Sequence, residues 1–369
     1  MQIKIKDVFN VVDKGLLAIN IVLAMLLLVC YLSPLMAPNA SSLVALIGLG
    51  YPLLLGFNAF FLVYWPLRSR LFWLISFCCI LIGIRFLTHY FGFNMPAAAV
   101  NHPGALKVMS YNVHNFMGTD TTHVTYVENQ IIDVINGEHP DIVSIQEFSV
   151  NVKNNKAIYA DLKSGLHSNQ YCFIPYECAR WDTVGLAIFS KFPIINHGVI
   201  TTQLYETENQ VMFVDVKQNN KIIRVYNLHL QPIHFSTTEH QYIRKLEHRA
   251  KINRGLMKTI TQKLEIAFVK RACVIEALKK SMASCPYPYV LAGDFNDTPI
   301  SYVVTHISEG LQNAFIEKGS GLGTTYYGDF PHFQIDYILA SKHFNVVNYQ
   351  TIKKKISDHY AITSQLELK

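Results

Sequence analysis

The chain has 369 residues, half of them apolar and 16% charged, and a formal net charge of +6. Residues 1–100 hold six of the 32 Lys/Arg and two of the 26 acids, which leaves the remainder at +2. The overall charge is therefore no ground for a nucleic-acid partner. The seven cysteines show no CxxC or Cys/His metal-ligand spacing, so they read as scattered thiols, with a disulfide open if the domain is exported.

Three apolar runs open the chain: Gly15–Leu32, Leu43–Trp65 and Leu71–Phe91. Each approaches the roughly 20 helical residues that cross a bilayer core. None shows the polar stripe of a helix lying on a soluble domain. They predict an anchor of three transmembrane helices within residues 1–95, although the first run could also be a cleaved signal peptide. Lys4, Lys6 and Lys14 precede the first run, Ser33–Ser42 carries no charge, and Arg68 and Arg70 lie between the second and third. The positive-inside rule then places the N-terminus in the cytoplasm and everything beyond the third helix outside. Arg85 and His89 fall inside the third run, toward its outer end. If that helix fails to cross, the domain behind it is cytoplasmic. Residues 96–104 read as a linker.

From residue 105 the pattern changes to short β-rich runs ending in polar residues. Leu106–Asn112, Asp141–Glu147, Gly185–Ser190, Val211–Val216, Ile222–His229, Tyr289–Asn296, Gln334–Ala340 and His359–Leu366 are strand candidates. Val124–Asn136, Ala157–Leu162 and the long stretch Gln241–Ser284, broken at Gly255, read as helical. So many strands with few helices predict two packed sheets with helices outside. Residues 241–280 hold eleven Lys/Arg against three Glu, either as a solvated basic face or as a surface for polyanions.

The polar clusters sit where the runs end: Ser110-Tyr111-Asn112, Gln146-Glu147, Asn227-Leu228-His229, Gly293-Asp294-Phe295-Asn296-Asp297 and Ser357-Asp358-His359. Asp336 lies within an apolar run. One carboxylate there could be a satisfied core group; six such groups at strand ends point to a site, because burying a charge is costly unless it is paired or metal-bound.

The order and content of these clusters, with the run Gly185–Ile194, resemble the endonuclease/exonuclease/phosphatase (DNase I-like) superfamily over essentially all of residues 105–369. The resemblance implies a four-layered α/β sandwich, here preceded by three transmembrane helices. It implies a metal-dependent phosphoester hydrolase using Mg²⁺ or Mn²⁺. It makes Glu147 the main metal ligand, with Asp358 at or near the ion and Asn112 on the metal or a phosphate oxygen. His359 becomes the general base or electrostatic partner at phosphorus, oriented by Asp336. His229 would donate to a phosphate oxygen, Asp294 would orient the water, and Asn296 would stabilise phosphoryl charge. His114 and Asn115 read as rim residues, Asp297 as an acid supporting the site from behind or as a helix cap, and Thr324 and Thr325 as turn or substrate residues. The anchor favours lipid head groups or another extracytoplasmic phosphodiester as substrate. A DNA or RNA nuclease and a non-catalytic membrane scaffold are the alternatives. Membrane lipids are the expected partner, and no protein partner is implied.

Overall fold

The N-terminal apolar runs fold as helices packed on one another and on the domain behind them. The computed structural model describes residues 11–68, 70–95, 104–117, 124–151, 160–162, 164–166, 170–178, 182–202, 208–247, 253–328 and 332–369. Most of the expected linker, 96–103, and residues 157–159 of one expected helix lie outside them.

Helix α1 (Val11–Cys30) is a single rod long and apolar enough to cross a membrane. The expected second and third spans are each broken. Helices α2 (Ser42–Leu49) and α3 (Tyr51–Leu67) meet at 58° around Gly50, and α4 (Trp73–Ile82) and α5 (Ile84–Tyr90) at 69° around Gly83. The three expected spans thus take the form of one unbroken helix and two bent pairs, each long and apolar enough only as a pair. The breaks have local causes. Pro52 sits in the first turn of α3 and has no N–H to continue the ladder from α2. At Gly83 a Cβ would lie 2.0 Å from the Tyr31 ring, so only glycine lets the bend close on that ring.

Buried polar groups tie α1, α3 and α4 together. Asn20 donates to Ser76 (2.8 Å) and accepts from the Trp65 indole (2.9 Å), and Ser76 donates to Asn58 (3.0 Å). In an apolar bundle such bonds fix which faces meet. Asp13 and Arg68 pair at one end (3.1 Å). At the other end the Tyr31 hydroxyl donates to the Cys79 carbonyl (3.1 Å) and its ring stacks on Phe86. The chain therefore runs up, back and up again. Arg85 lies beyond the Gly83 bend, its guanidinium 5.0 Å from the Phe86 ring.

The remainder contains β1 (Phe91–Phe93), β2 (Leu106–Asn112), α6 (Val124–Glu138), β3 (Ile142–Asn151), β4 (Gln170–Cys178), β5 (Asp182–Ser190), β6 (Ile194–Val199), β7 (Gln210–Gln218) and β8 (Lys221–His229). Then follow α7 (Thr237–Glu247), α8 (Arg254–Ala272), α9 (Val274–Ala283), β9 (Tyr289–Asp294), α10 (Tyr302–Ser308), β10 (Leu311–Asn313) and α11 (Ala314–Lys318). The chain closes with β11 (Ser320–Leu322), β12 (Asp336–Ser341), β13 (Phe344–Ile352) and β14 (Ala361–Leu368). Two six-stranded sheets form, ordered β13-β14-β2-β3-β5-β4 and β10-β12-β9-β8-β7-β6. Strand alternation divides the apolar residues. Val108, Ile188, Val214, Val225 and Ile338 fill the space between the sheets. Met109, Val143 and Phe189 face α6, while Tyr226, Leu291 and Leu339 face α9 and α10. The result is a helix–sheet–sheet–helix sandwich.

The long helical stretch is interrupted at Asn253 and again at Cys273, not at Gly255. Gly255 instead donates to the Asn253 side chain that caps α8. Strand β1, within the stretch read as anchor, pairs antiparallel with β11 of the sandwich. All seven cysteines are free thiols.

Candidate active site

Each sheet contains one parallel pair, and both pairs end at the same edge of the sandwich. In one sheet β2 and β3 run parallel with Asn112 opposite Gln146; in the other β8 and β9 run parallel with His229 opposite Asp294. Beneath this edge the sheets are stitched by amides. Gln146 donates to Asn227 (2.7 Å), and Asn227 donates to the carbonyls of Ile145 and Ala187 (2.9 and 3.0 Å). Fully bonded buried amides of this kind set the sheet-to-sheet register, and with it the spacing of the groups above.

All eight residues singled out from the sequence lie at this edge. The structure gathers Glu147, His229, Asp294, Asn296, Asp358 and His359 around one cavity of about 1140 Å³. Asn112 and Asp336 brace it from behind. The Asn112 amide donates to both Glu147 (3.1 Å) and Asp294 (3.0 Å), while its oxygen accepts the His114 N–H (3.0 Å). With its oxygen turned to the backbone, Asn112 holds two carboxylates together. Asp336 accepts from His359 Nδ1 at 3.0 Å, which turns Nε2 toward Asp294 (3.7 Å) and Asp358 (4.0 Å). His229 Nε2 lies 3.5 Å from Glu147 and 3.9 Å from Asp294. Asn296 spends one amide hydrogen on the Leu230 carbonyl (2.9 Å), and its backbone N–H binds Asp294 (2.7 Å).

Several of these positions carry backbone strain. Strand β3 has a bulge between Ile145 and Phe148, where Glu147 adopts φ 51° and its carboxylate is re-aimed into the cavity. Asn296 has φ 52°. His114, Asn115 and Phe116 form a left-handed turn (φ 46°, 52° and 57°) that brings His114 Nδ1 to 3.6 Å from Asp358. Left-handed non-glycine residues cost on the order of 1 kcal/mol each and concentrate at functional sites.

Charge crowding shapes the electrostatics. Burial, then the neighbouring Asp336, pushes the Asp294 carboxyl up to about 6, against the opposing pull of His359, His229 and Asn112. Burial alone would lower the His359 imidazole, but Asp336, Asp294 and Asp358 outweigh it and hold the ring well above its ordinary value. The crowd of carboxylates thus favours the protonated ring, which suits His359 to donate a proton.

A divalent cation fits this donor set. Four carboxylates converge, and among the described residues none of them has a Lys or Arg ion pair; only imidazoles offset them. The tightest acid–histidine group among the described residues is Asp294, Asp336 and His359, with ligand atoms within 4.8 Å of one another. There His359 Nδ1 is already spent on Asp336. Glu147 and Asp358 remain 22% exposed toward the cavity, as hard oxygen donors open to an ion and its waters.

Some contributors left little trace in the sequence. Tyr176, on edge strand β4, places its hydroxyl 3.5 Å from His229 Nδ1. Thr325 accepts the N–H groups of Ile335 and Asp336 (3.0 and 3.1 Å), fixing the start of β12; its role is structural. Asp297 does not cap α10; Ser301 does, accepting from Val304 N–H. Asp297 instead faces Arg271 at 3.5 Å, both nearly fully buried. Arg271 thereby leaves the basic surface counted from the sequence. Lys263 and Lys279 of that set pair with Glu239 and Glu309, and Arg249 and Lys251 lie outside the described residues.

Residues 109–359 match the Endonuclease/Exonuclease/phosphatase family. Residues 13–90 match a domain of unknown function (DUF8431). No curated protein matches the chain. Among solved structures, the chain is similar to the catalytic domain of human Nocturnin with bound sulfate anion, at 18% identity and a TM-score of 0.53, covering 73% of this chain and 97% of that one. It is similar to a functionally unknown conserved protein from Enterococcus faecalis V583, at 16% and 0.52, covering 72% and 100%. An endonuclease/exonuclease/phosphatase from Beutenbergia cavernae DSM 12333 gives 18% and 0.50, covering 72% of each chain. At such identities these likenesses concern the fold alone.

Proposed function

Because the chain belongs to the endonuclease/exonuclease/phosphatase family, we propose that it is a membrane-anchored, metal-dependent phosphoesterase acting on lipid head groups or another amphiphilic extracytoplasmic phosphodiester. The observation that carries this reading is the cavity itself. Glu147, His229, Asp294, Asp358 and His359 line one part of it, and Leu49 and Leu53 of the N-terminal helices line another.

Glu147 and Asp358 would hold Mg²⁺ or Mn²⁺, with Asn112 keeping the Glu147 carboxylate in place. When bound, such an ion polarises a phosphoryl oxygen and offsets negative charge. The protein's own groups do the rest. Asp294, 1% exposed and between His229 and His359, accepts a hydrogen from the attacking water and orients it. His359, held in one tautomer by Asp336, and His229 donate to the phosphoryl oxygens as charge builds on them. Asn296 has a second amide hydrogen for the same purpose.

A nucleic-acid substrate is the main alternative. It would require cationic groups along the cleft to meet the phosphate backbone. Among the described lining residues there is no lysine. The one arginine, Arg271, is 1% exposed and bonded to the Gln231 carbonyl. That lining favours an ester carrying a single head group.

The full chain, supplied with Mg²⁺, should be offered a soluble bis-aryl phosphodiester, phosphatidylglycerol, sphingomyelin, phosphatidylinositol phosphates, plasmid DNA and RNA in parallel. Turnover of the soluble ester and of at least one lipid, with nucleic acids poorly cleaved, is the expected pattern. A higher kcat/KM on DNA or RNA than on any lipid would overturn the lipid reading. No turnover of any substrate would favour a scaffold.

The anchor is proposed as an up–down–up bundle with α1, α2–α3 and α4–α5 each crossing. Asp13 and Arg68 mark one end, and Tyr31 and Gly83 mark the end facing the catalytic domain. With Lys14, Arg68 and Arg70 at the cytoplasmic end, the catalytic domain lies outside. A phosphatase reporter fused after Lys369 should be active, and a fluorescent reporter that matures only in the cytoplasm should stay dark. The opposite pair of results would mean that α4–α5 does not cross.

A further inference from the structure

The catalytic cavity does not end at the carboxylates. It continues past Ile233 and Phe235 along one face of α8, where Ile260, Leu264 and Phe268 recur every four residues. Ile260 and Phe268 are buried, at 8% and 3% exposure, yet they line open space. Leu49 and Leu53, on either side of the Gly50 bend, line the same cavity, and Leu53 is 54% exposed.

We infer that this apolar annex is a binding site for the acyl chain of a membrane lipid whose phosphoester reaches Glu147 and His359. The inference deepens the phosphoesterase reading and rests on it. Three observations commit the site to a hydrocarbon chain. The annex is lined by Leu49 of α2 and Leu53 of α3, a bent pair that together is long and apolar enough to cross a bilayer, so a chain in the annex would lie against the anchor helices. Beside the His234, His240, Asp297 and Thr298 that also line the cavity, Ile243, Met257, Ile260, Leu264 and Phe268 form an apolar wall, which favours hydrocarbon over water along that stretch. Its other end carries the carboxylates and imidazoles that handle a phosphoester, so the polarity of the cavity runs in the same order as that of a phospholipid. The anchor helices then form part of the substrate-binding wall as well as the tether.

The test uses the full chain in bilayers of phosphatidylethanolamine and phosphatidylglycerol. The probe is phosphatidylglycerol with a photoactivatable diazirine near the end of one acyl chain, added with EDTA so that it is not consumed. After irradiation, adducts are mapped by peptide mass spectrometry. Adducts on α1 at Ile21, Met25 and Leu28, all exposed, report the surrounding bilayer. The expected result is a second set of adducts on residues 253–272. Leu264→Trp should lower that set about tenfold relative to α1, because the added ring takes the volume a ligand needs. Leu264→Met, which conserves volume, should retain it. Adducts confined to the anchor helices in the wild-type chain would overturn the inference, as would α8 adducts equally strong in Leu264→Trp. Hydrolysis of a soluble bis-aryl phosphodiester, measured on the same preparation with Mg²⁺, separates the two readings. Hydrolysis without α8 adducts overturns the annex and leaves the phosphoesterase. Adducts that Leu264→Trp removes, without hydrolysis, support the annex as a lipid site and overturn the phosphoesterase.

Discussion

His359→Ala is expected to lower kcat by a factor on the order of 10² or more, the usual worth of a positioned proton-transfer group. The ring is 4% exposed and is held by Asp336 on one nitrogen, with Asp294 and Asp358 facing the other. It is the most charge-coupled group in the cavity. Removing it deprives the phosphoryl oxygens of a cationic donor and leaves three carboxylates without their shared counter-charge. Asp336→Asn should cost less, because the ring stays in place and loses only the charge that orients it and keeps it protonated. The two variants should also differ in pH profile. Asp336 raises the His359 pKa, so its neutralisation should move the alkaline limb of kcat toward lower pH. Steady-state kinetics on a soluble phosphodiester check both outcomes. Near-normal kcat in a folded His359→Ala protein would remove this residue from the chemistry.

Arg271→Met is expected to destabilise the sandwich by about 3–5 kcal/mol, as when one partner of a buried ion pair is deleted and the other remains charged. Arg271 is 1% exposed. It donates to the Gln231 carbonyl at 2.8 Å and stands 3.5 Å from Asp297, itself 4% exposed. In Arg271→Met the Asp297 carboxylate would remain beneath α8 with the Thr298 N–H and the Ser301 hydroxyl as donors but no counter-charge. Replacing both residues, as in Arg271→Met with Asp297→Leu, should recover most of the loss, because an apolar pair avoids the desolvation that the ion pair only balances. Denaturant titration of the detergent-solubilised chain, followed by near-UV circular dichroism, reads these differences. A single-variant loss below about 1 kcal/mol would mean that the pair is better hydrated than its burial indicates.

The strand ends were legible because buried strands advertise themselves. Leu106–Asn112 and Ile222–His229 alternate or run apolar and then stop on Asn or His, and the structure ends β2 and β8 on those residues. Edge strands lack that contrast. Gln170–Cys178 is mostly half-buried and contains Pro175, so its sequence carries no clear strand signal, and none for Tyr176 beside His229. The left-handed conformations of Glu147, Asn296 and His114–Phe116 had no local signal, because tertiary contacts impose them on residues that do not require them. Arg271 looked like its neighbours in a basic helix, and only the packing of α8 over Asp297 turns it inward. The bends at Gly50 and Gly83 follow from a proline and from the Tyr31 ring, and hydropathy registers neither.

A metal titration decides whether the cluster at the sandwich edge is a metal-dependent phosphoesterase centre. The full chain is stripped with EDTA and assayed on a soluble bis-aryl phosphodiester while Mg²⁺ or Mn²⁺ is added back, in parallel with Glu147→Gln. The expected result is no turnover in the stripped protein, recovery on adding the ion, and a recovery curve displaced to higher metal concentration in Glu147→Gln. Full turnover by the stripped protein, or identical metal dependence in the two proteins, would contradict the account.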